Sequence, residues 1–555
     1  MKVLTAQQMR QADRLSTDRY GIASLTLMEN AGTAFADYLG DAYPGLAGFR
    51  IVVLCGKGNN GGDGLVVARL LRARGAAPRV FLFAEPSAVR GDAAVNLKRW
   101  RESGGELHVI ASLAEWQAAP GILAQCDLVV DALLGTGLTG PAEGLLAAVI
   151  EDLNIAAGEV LVGPGLSRRL QVVSVDMPSG LSSEAEDRGG PIVFADATVT
   201  FTAPKVGQLL NPRCDCVGKL IVREIGTPPA LLEDDPSLKL HWLEPGEFRG
   251  LPMIRPRDSN KGSYGHALII AGCLGKSGAA AMSGRAALRV GAGLVTVATP
   301  LPVLPIVAAS MPELMTAPLI ANELGSAGPQ NLDYGRLAEL FSGKSVLAMG
   351  PGLTTNEDTQ QFICAVVAQT TLPLILDADG LNAFAGRPEL LASRKASLLA
   401  ITPHPGEMAR LLGVSPKDVQ ARRLEIALET AARWNAHVIL KGFHTILATP
   451  DGRAYINTTG NPGMATGGTG DVLTGMLAGL SAEFGDAHWP QVLGLGIYLH
   501  GLAGDIAAAR IGEAPLIASD LIEALPETFA CFLADWAKAR AQSSAQAQSE
   551  KGRSA

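Results

Sequence analysis

Short apolar runs that break into a glycine-rich or acidic loop, followed by a helical period, constrain this chain most. In the first half these runs are Ile51–Leu54, Val80–Phe83, Leu128–Asp131, Val172–Val175, Thr198–Phe201 and Leu220–Val222. Helical patterns such as Leu65–Arg74 and Leu145–Leu153 lie between several of them. Strands apolar on both faces need cover on both faces, so the alternation predicts a mostly parallel sheet flanked by helices. The second half repeats the pattern in Ala267–Ala271, Leu294–Thr299, Val346–Met349, Leu374–Leu376, Leu399–Ile401, Val438–Leu440 and Thr445–Ala448, then turns helical from Val472. A chain of 555 residues is long enough for two such α/β domains. Prolines and the acidic cluster Glu233, Asp234 and Asp235 mark the boundary. The expected division is a domain over 1–226, a linker over 227–252, a domain over 253–537 and a disordered Ala/Gln/Ser/Lys-rich tail over 538–555.

Composition narrows the class of partner. A net charge of −8 disfavours a nucleic-acid or anionic-membrane surface, which would call for a basic face. No run approaches the ~18 apolar residues of a membrane span, and Met1–Arg14 has no apolar signal core. Cys214 and Cys216 form a C-x-C pair, but no second pair completes a zinc set, and seven cysteines make no disulfide framework. The expectation is a cytoplasmic enzyme of small molecules, free of nucleic acid and membrane, with homo-oligomerisation left open.

Strand Ile51–Leu54 runs into Cys55-Gly56-Lys57-Gly58-Asn59-Asn60-Gly61-Gly62-Asp63-Gly64. Gly56, Gly58 and Gly61 meet the G-x-G-x-x-G spacing between a strand and a helix, where bare backbone and a helix N-terminus attract a pyrophosphate. Glu85 lies too far along to be the acidic ribose partner with any force. Two further strand-end loops, Ala132–Gly140 and Asp176–Gly180, converge on the same crevice. Asn60, Asp131 and Ser179 offer only oxygen donors there, which suits a weakly held cation and not zinc. Asp131 and Asp176 could equally be plain turn or helix caps.

In the second half Asn461-Pro462-Gly463-Met464-Ala465-Thr466-Gly467-Gly468-Thr469-Gly470-Asp471 opens the helix Val472–Leu480. Free N–H groups and the helix dipole favour a phosphate at such a place, with Asp471 facing both anion and substrate. The loops 350–353, 377–382, 402–407 and 441–445 follow strands and fit one groove. His404 is held rigidly between two prolines. Gly275-Lys276-Ser277 is no Walker motif, because Ile270 stands where its first glycine belongs.

The motifs Asn59–Gly64, Asp131–Leu138, Asp176–Gly180 and Phe201–Lys205, with the early helix Leu27–Gly32, resemble the NAD(P)H-hydrate epimerase family. That resemblance implies a Rossmann-like domain in which Asn59, Asn60, Gly61, Gly62, Asp63 and Gly64, together with Gly135, Thr136, Gly137, Leu138, Thr139, Gly140 and Pro141, hold a hydrated dinucleotide. It implies potassium on Asn60, Asp131 and Ser179, and a substrate contact from Asp176. Epimerisation at C6 of the nicotinamide ring also needs an acid/base group, for which Asp131 and Lys205 are candidates. Lys205 could instead snorkel to solvent. The stretch 156–169 departs from the family pattern as a loop insertion.

From about Lys261 the chain resembles the ribokinase-like superfamily and, within it, the ADP- or ATP-dependent NAD(P)H-hydrate dehydratases. The resemblance implies that Gly352, His404 and Asp471 contact the hydrated dinucleotide. Lys441, Gly442, Phe443, His444, Thr445 and Gly470 would contact ADP with Mg2+, with Lys261 and Ala271 at the edge of the site. Asp471 would be the base that deprotonates the C6 hydroxyl before phosphorylation and elimination, releasing AMP and phosphate. A small-molecule kinase fused to a dinucleotide-binding domain is the enzymatic alternative, and a non-catalytic dinucleotide sensor the other.

Overall fold

The structure, a computed structural model, describes all residues except 120, 159–160, 164–165, 211 and 554–555, and of 161–168 and 542–553 it describes the backbone alone. The chain divides into two compact units, Lys2–Leu238 and Lys239–Ala555, with Met1 grouping with the second.

The first unit carries β1 (Ile51–Cys55), β2 (Arg79–Leu82), β3 (Leu107–Val109), β4 (Leu128–Ala132), the hairpin β5 (Leu161–Gly163) and β6 (Leu166–Arg168), then β7 (Gln171–Val175), β8 (Ala197–Phe201) and β9 (Lys219–Arg223). Seven of these form one parallel sheet in the order β3-β2-β1-β4-β7-β8-β9. Alternate residues of a strand feed opposite cores. Ile51, Val53 and Cys55 join one cluster with helices Ser24–Ala42 and Asn59–Ala73, while Val52 and Leu54 join another with helix Gly144–Gly158. The expected insertion at 156–169 comprises the end of that helix and the β5–β6 hairpin.

The second unit carries β10 (Leu240–Trp242), β11 (His266–Ile270), β12 (Leu294–Pro300), β13 (Met315–Leu319), β14 (Val346–Met349), β15 (Leu374–Leu376), β16 (Leu399–Ile401), β17 (His437–Leu440), β18 (Thr445–Ala448) and β19 (Ala454–Asn457). They form one sheet in the order β10-β19-β18-β17-β16-β15-β14-β11-β12-β13, antiparallel only at β17-β18-β19.

Both sheets reverse their winding once beside a central strand: the first between β1 and β4, the second between β11 and β14. Loops leaving the carboxyl ends of those strands part there and open a crevice for a ligand.

The stretch 227–252 is not a free linker. Leu231 and Leu238 are buried, and Leu238 joins a cluster with Leu4, Met9 and Ala203. Past the boundary β10 pairs with β19, and Leu243, Phe248 and Leu251 enter the second core. Regularly placed apolar residues outweigh the prolines that mark the stretch as a loop. The tail expected to be disordered from Lys538 has a helical backbone to Arg553, continuing helix Ala518–Arg553 with strong helix formers. One helix, Trp489–Ile511, does meet the length and apolarity of a membrane span, contrary to the expectation from sequence; most of it is buried in the second core.

Candidate active sites

In the first unit the loop after β1 and the loop after β4 meet at the winding reversal. A side chain at Gly56 would sit 1.9 Å from the Leu133 carbonyl oxygen, and one at Gly61 1.9 Å from the Gly56 carbonyl oxygen. These two motif glycines are therefore demanded by backbone packing. Gly58 alone faces open space, at the uncapped start of helix Asn59–Ala73.

Asn60 is buried and donates through Nδ2 to the Leu134 carbonyl (2.9 Å), which leaves its Oδ1 buried without a partner. Asp131, fully buried, accepts from Ser174 Oγ (2.8 Å), Ser179 N (2.8 Å), Ser179 Oγ (2.5 Å) and Leu133 N (3.3 Å). Burial raises its carboxyl above the usual carboxylate range, and those hydrogen bonds offset the rise only in part. An orphaned amide oxygen beside a buried carboxylate and hydroxyl is a donor set of hard oxygens. Among the described residues no group of three or more His, Cys, Asp or Glu could hold a metal.

Lys205 does not snorkel. It is 1% exposed, and its Nζ reaches Asp176 Oδ1 (2.5 Å), Thr200 Oγ1 (2.8 Å) and the Phe201 carbonyl (3.2 Å). Asp176 sits in a left-handed backbone conformation (φ 60°) just beyond β7 and also accepts from Thr200 Oγ1 (2.9 Å). Two further carboxyls face this pair. Burial, then repulsion from Asp176 and Asp13, holds Asp63 well above the usual carboxylate range against the pull of Lys205. Asp13 is pushed up to about 6, chiefly by burial. Sequence reasoning missed Asp13. Its signal is a charge on the buried face of helix Ala6–Tyr20, beside Met9, Ala12 and Ser16.

The remaining expected residues of this unit split by exposure. Gly62 and Gly64 are buried against Met28 and Ala132, while Asn59, Gly137, Thr139 and Pro141 are exposed at the rim of the crevice with Thr136, Leu138 and Gly140 between them. Gly135 packs against Asn60.

In the second unit helix Thr469–Phe484 starts at Gly468, whose left-handed backbone (φ 96°) packs so closely that a Cβ would lie 2.6 Å from Met282 Cε. That start leaves amide N–H groups free in the first turn. Asp471 lies in that turn, and its carboxyl is raised to about 6 by burial first and then by Asp377. Asp377, at the end of β15 and 1% exposed, goes the other way: Lys441 and the hydroxyls of Thr402 and Thr474 hold it below its usual range despite burial. Lys441 Nζ lies 2.8 Å from Asp377 Oδ1 and 3.8 Å from Glu407 Oε2. Gly470 sits beside both, a Cβ there being 3.5 Å from Lys441 Nζ and 3.8 Å from Asp377 Oδ2.

His404 caps helix Pro405–Leu412: its Nδ1 accepts from Gly406 N (2.9 Å), which fixes the tautomer, and burial lowers its pKa. Its side chain is half exposed. Gly352 (φ 65°) follows β14, and Lys276 crowds it, so that a Cβ at 352 would lie 3.1 Å from Lys276 Cβ. Lys276 in turn reaches Asp379 Oδ2 (3.3 Å). Ala271, buried at the end of β11, sits where Gly272 N donates to the Pro351 carbonyl across the winding reversal. The β17–β18 turn Lys441-Gly442-Phe443-His444-Thr445 is pinned by Arg423, which donates to the carbonyls of Leu440, Phe443 and His444. The Phe443 ring, half exposed, stacks on His444.

Lys261 is not brought to this groove. It precedes β11 and packs near Gly293, at the amino ends of the strands and by the far end of the helix that begins at Gly468. Sequence reasoning also left Asp377, Glu407 and Lys276 without roles, although the acidic loop 377–382 was recognisable.

The chain matches two family models: one described as NAD(P)H-hydrate dehydratase over residues 267–527, and one described as YjeF-related protein N-terminus over residues 24–207. The bifunctional NAD(P)H-hydrate repair enzyme Nnr of Moorella thermoacetica is 43% identical over 95% of this chain and 96% of that protein. Those of Thermofilum pendens (40% identity, 97% and 98% coverage) and Escherichia coli (34%, 94% and 92%) are similar along the same length. A Bacillus subtilis ADP/ATP-dependent NAD(P)H-hydrate dehydratase, co-crystallised with ATP and Mg2+, is 33% identical and overlays with a TM-score of 0.46 on 53% of this chain and 98% of its own.

Proposed function

The chain belongs to the family of bifunctional NAD(P)H-hydrate repair enzymes, and we propose a division of labour between its two units on that premise. Residues 2–238 interconvert the R and S hydrates at C6. Residues 239–555 return the S hydrate to NADH or NADPH at the expense of an adenine nucleotide. The observation that carries the second assignment is the pair of carboxyls held apart in the groove: Asp471 raised, Asp377 lowered by Lys441. Such opposed environments separate a proton acceptor from a structural anion.

In this reading Asp471 takes the C6 hydroxyl proton, and the hydroxyl oxygen attacks the terminal phosphorus of ADP. AMP leaves. Lys441, the Gly470 amide and the free N–H groups of the first helical turn stabilise the charge that spreads over the phosphoryl oxygens. The ring nitrogen lone pair then expels phosphate from C6, and loss of a proton from C5 restores the C5–C6 double bond. Mg2+ accompanying the nucleotide supplies further charge neutralisation on the phosphates. Gly352 and His404 would line the substrate side, and the Phe443–His444 stack the nucleotide side, with Ala271 at its edge. ADP as donor, rather than ATP, rests on family resemblance.

In the first unit Asn60, Asp131 and Ser179 would hold potassium, whose charge would anchor the substrate phosphates beside Gly58. The buried Asn60 Oδ1 without a partner supports that assignment. Asp131, with both oxygens already accepting hydrogen bonds, suits the cation better than proton transfer. Asp176 and Lys205 lie on the substrate side of the crevice. We place the enzyme in the cytoplasm, where its substrates and its seven free thiols are at home.

The test is absorbance at the NADH band. With mixed R and S hydrates and ADP, the full chain should convert the whole mixture. A kinase would leave a stable phosphate ester and no NADH signal, and a sensor would leave the hydrates untouched.

A further inference from the structure

The first unit holds a titratable group that the proposed chemistry leaves unused. Asp13 lies on the inward face of helix Ala6–Tyr20, and its Oδ1 is buried with no hydrogen-bond partner. A buried, unsatisfied carboxyl oxygen costs stability, so something other than folding accounts for it. The groups around it are the Lys205–Asp176 pair and Asp63, from the segments after β8 and β7 and from the first turns of helix Asn59–Ala73. Lys205 is committed to Asp176, Thr200 and the Phe201 carbonyl, and Asp131 to its four hydrogen bonds. Neither is free to carry a proton. We propose that Asp13 is the residue that moves the proton in epimerisation, an assignment that rests on the epimerase reading of this unit.

In the hydrate, C6 bears both the hydroxyl and the ring nitrogen N1, so the centre can invert by opening the ring. The Asp13 carboxylate takes the hydroxyl proton. The O–H electron pair becomes the second bond of a C6 aldehyde as the C6–N1 bond breaks. The pair left on N1, delocalised toward the carboxamide, takes the proton back from Asp13. Rotation about C5–C6 presents the other face of the aldehyde, and the same steps in reverse close the ring as the other epimer. The carboxyl ends as it began, and no oxidant or second substrate is consumed. A single carboxyl suffices because the proton removed from oxygen is the one delivered to nitrogen. The surroundings suit this role, since burial and the charge of Asp176 raise the basicity of Asp13 while Lys205 keeps it largely ionised at neutral pH.

The experiment uses the full chain with the pure R hydrate, ADP and an excess of a separate dehydratase, so that NADH appears at the rate of epimerisation. Asp13→Asn should lower kcat by about 10²–10⁴ while KM stays within about threefold. Dehydration of the pure S hydrate should not change, and the melting temperature should not fall, because the amide removes a buried charge. Wild-type kcat should decline as pH drops through about 6, the value of Asp13, and the variant should lack that limb. Epimerisation within a few-fold of wild type in Asp13→Asn overturns the proposal, as does a flat wild-type profile between about pH 5 and 7. If Asp13→Asn does not fold, Asp13→Glu, which keeps the carboxyl, should be slower yet retain the acid limb. A wild-type chain that leaves the R hydrate at its uncatalysed rate would overturn the epimerase reading itself and the Asp13 assignment with it.

Discussion

Asp471 and Asp377 are the same chemical group in the same groove, and their surroundings set them to opposite roles. Asp471 has lost water and gained a neighbouring carboxylate, so its proton affinity rises; Asp377 has lost more water but gained Lys441 and two hydroxyls. Asp471→Asn should therefore lower dehydration about 10²–10⁴-fold, or about 2.7–5.5 kcal/mol of barrier, and leave epimerisation intact. The sign of its stability effect follows from the direction of the shift. A carboxyl raised from 3.8 to about 6 favours the folded state below about pH 4 and loses that advantage as pH climbs through 6. Neutralising it should thus stabilise the second unit at pH 7, by about 1 kcal/mol once solvent screening is allowed for. Wild-type dehydration should fall on the acid side of about 6. Lys441→Met should behave differently: it strands the buried Asp377 carboxylate and should cost about 3–5 kcal/mol of stability along with turnover. Denaturant unfolding and turnover measured on the same preparations separate the two cases, and a Lys441→Met protein as stable as wild type would show that the pair is not the buried ion pair described.

At the scale of elements, most of the fold is legible in the amino-acid sequence because each central strand ends in a loop of distinctive chemistry. Strands such as Val346–Met349 are apolar throughout and admit only one environment. What escaped reading was short or peripheral: β19 is a four-residue strand inside its sheet, β3, β10 and β13 lie at sheet edges, and β13 even carries Pro318, which an edge tolerates. The sites show the same division. Residues in glycine-rich motifs were found, but Asp13 was not, because the charges around it, Lys205 and Asp176, come together only in the folded sheet. The motif glycines also proved to be of two kinds. Gly61→Ala drives a Cβ to 1.9 Å from the Gly56 carbonyl and should destabilise the first unit by about 3 kcal/mol. Gly58→Ala meets nothing within 4 Å and has an ordinary extended backbone, so it should leave the melting temperature unchanged. If a phosphate does approach the backbone at Gly58, that variant should raise KM for the hydrate with little change in kcat. Thermal melts and epimerase kinetics on the two variants would decide, and equal destabilisation would show that Gly58 is also a packing residue.

On the scale of the whole molecule, the question is whether two activities in one chain need one another to fold. Each unit has its own sheet and its own winding reversal, with strand residues buried on both faces. The boundary lies at Leu238/Lys239, within the stretch that its prolines and acids mark as a linker. That difference makes a sharp prediction. A first piece ending at residue 226 would lose the buried Leu231 and Leu238, the latter packed with Leu4, Met9 and Ala203, and a second piece starting at 253 would lose β10, Leu243, Phe248 and Leu251. Each buried Leu or Phe contributes about 1.5–3 kcal/mol, so such pieces forfeit a large part of an ordinary margin of about 5–15 kcal/mol. Pieces 1–238 and 239–555 should each be soluble, melt cooperatively and keep their own reaction, within about threefold of the full chain. The first should interconvert the hydrates without ADP, and the second should convert only the S hydrate until the first is added. Should the pieces cut at 226 and 253 prove as stable as those cut at 238, the intervening residues would be the linker their composition suggests, and their burial would contribute nothing to either core.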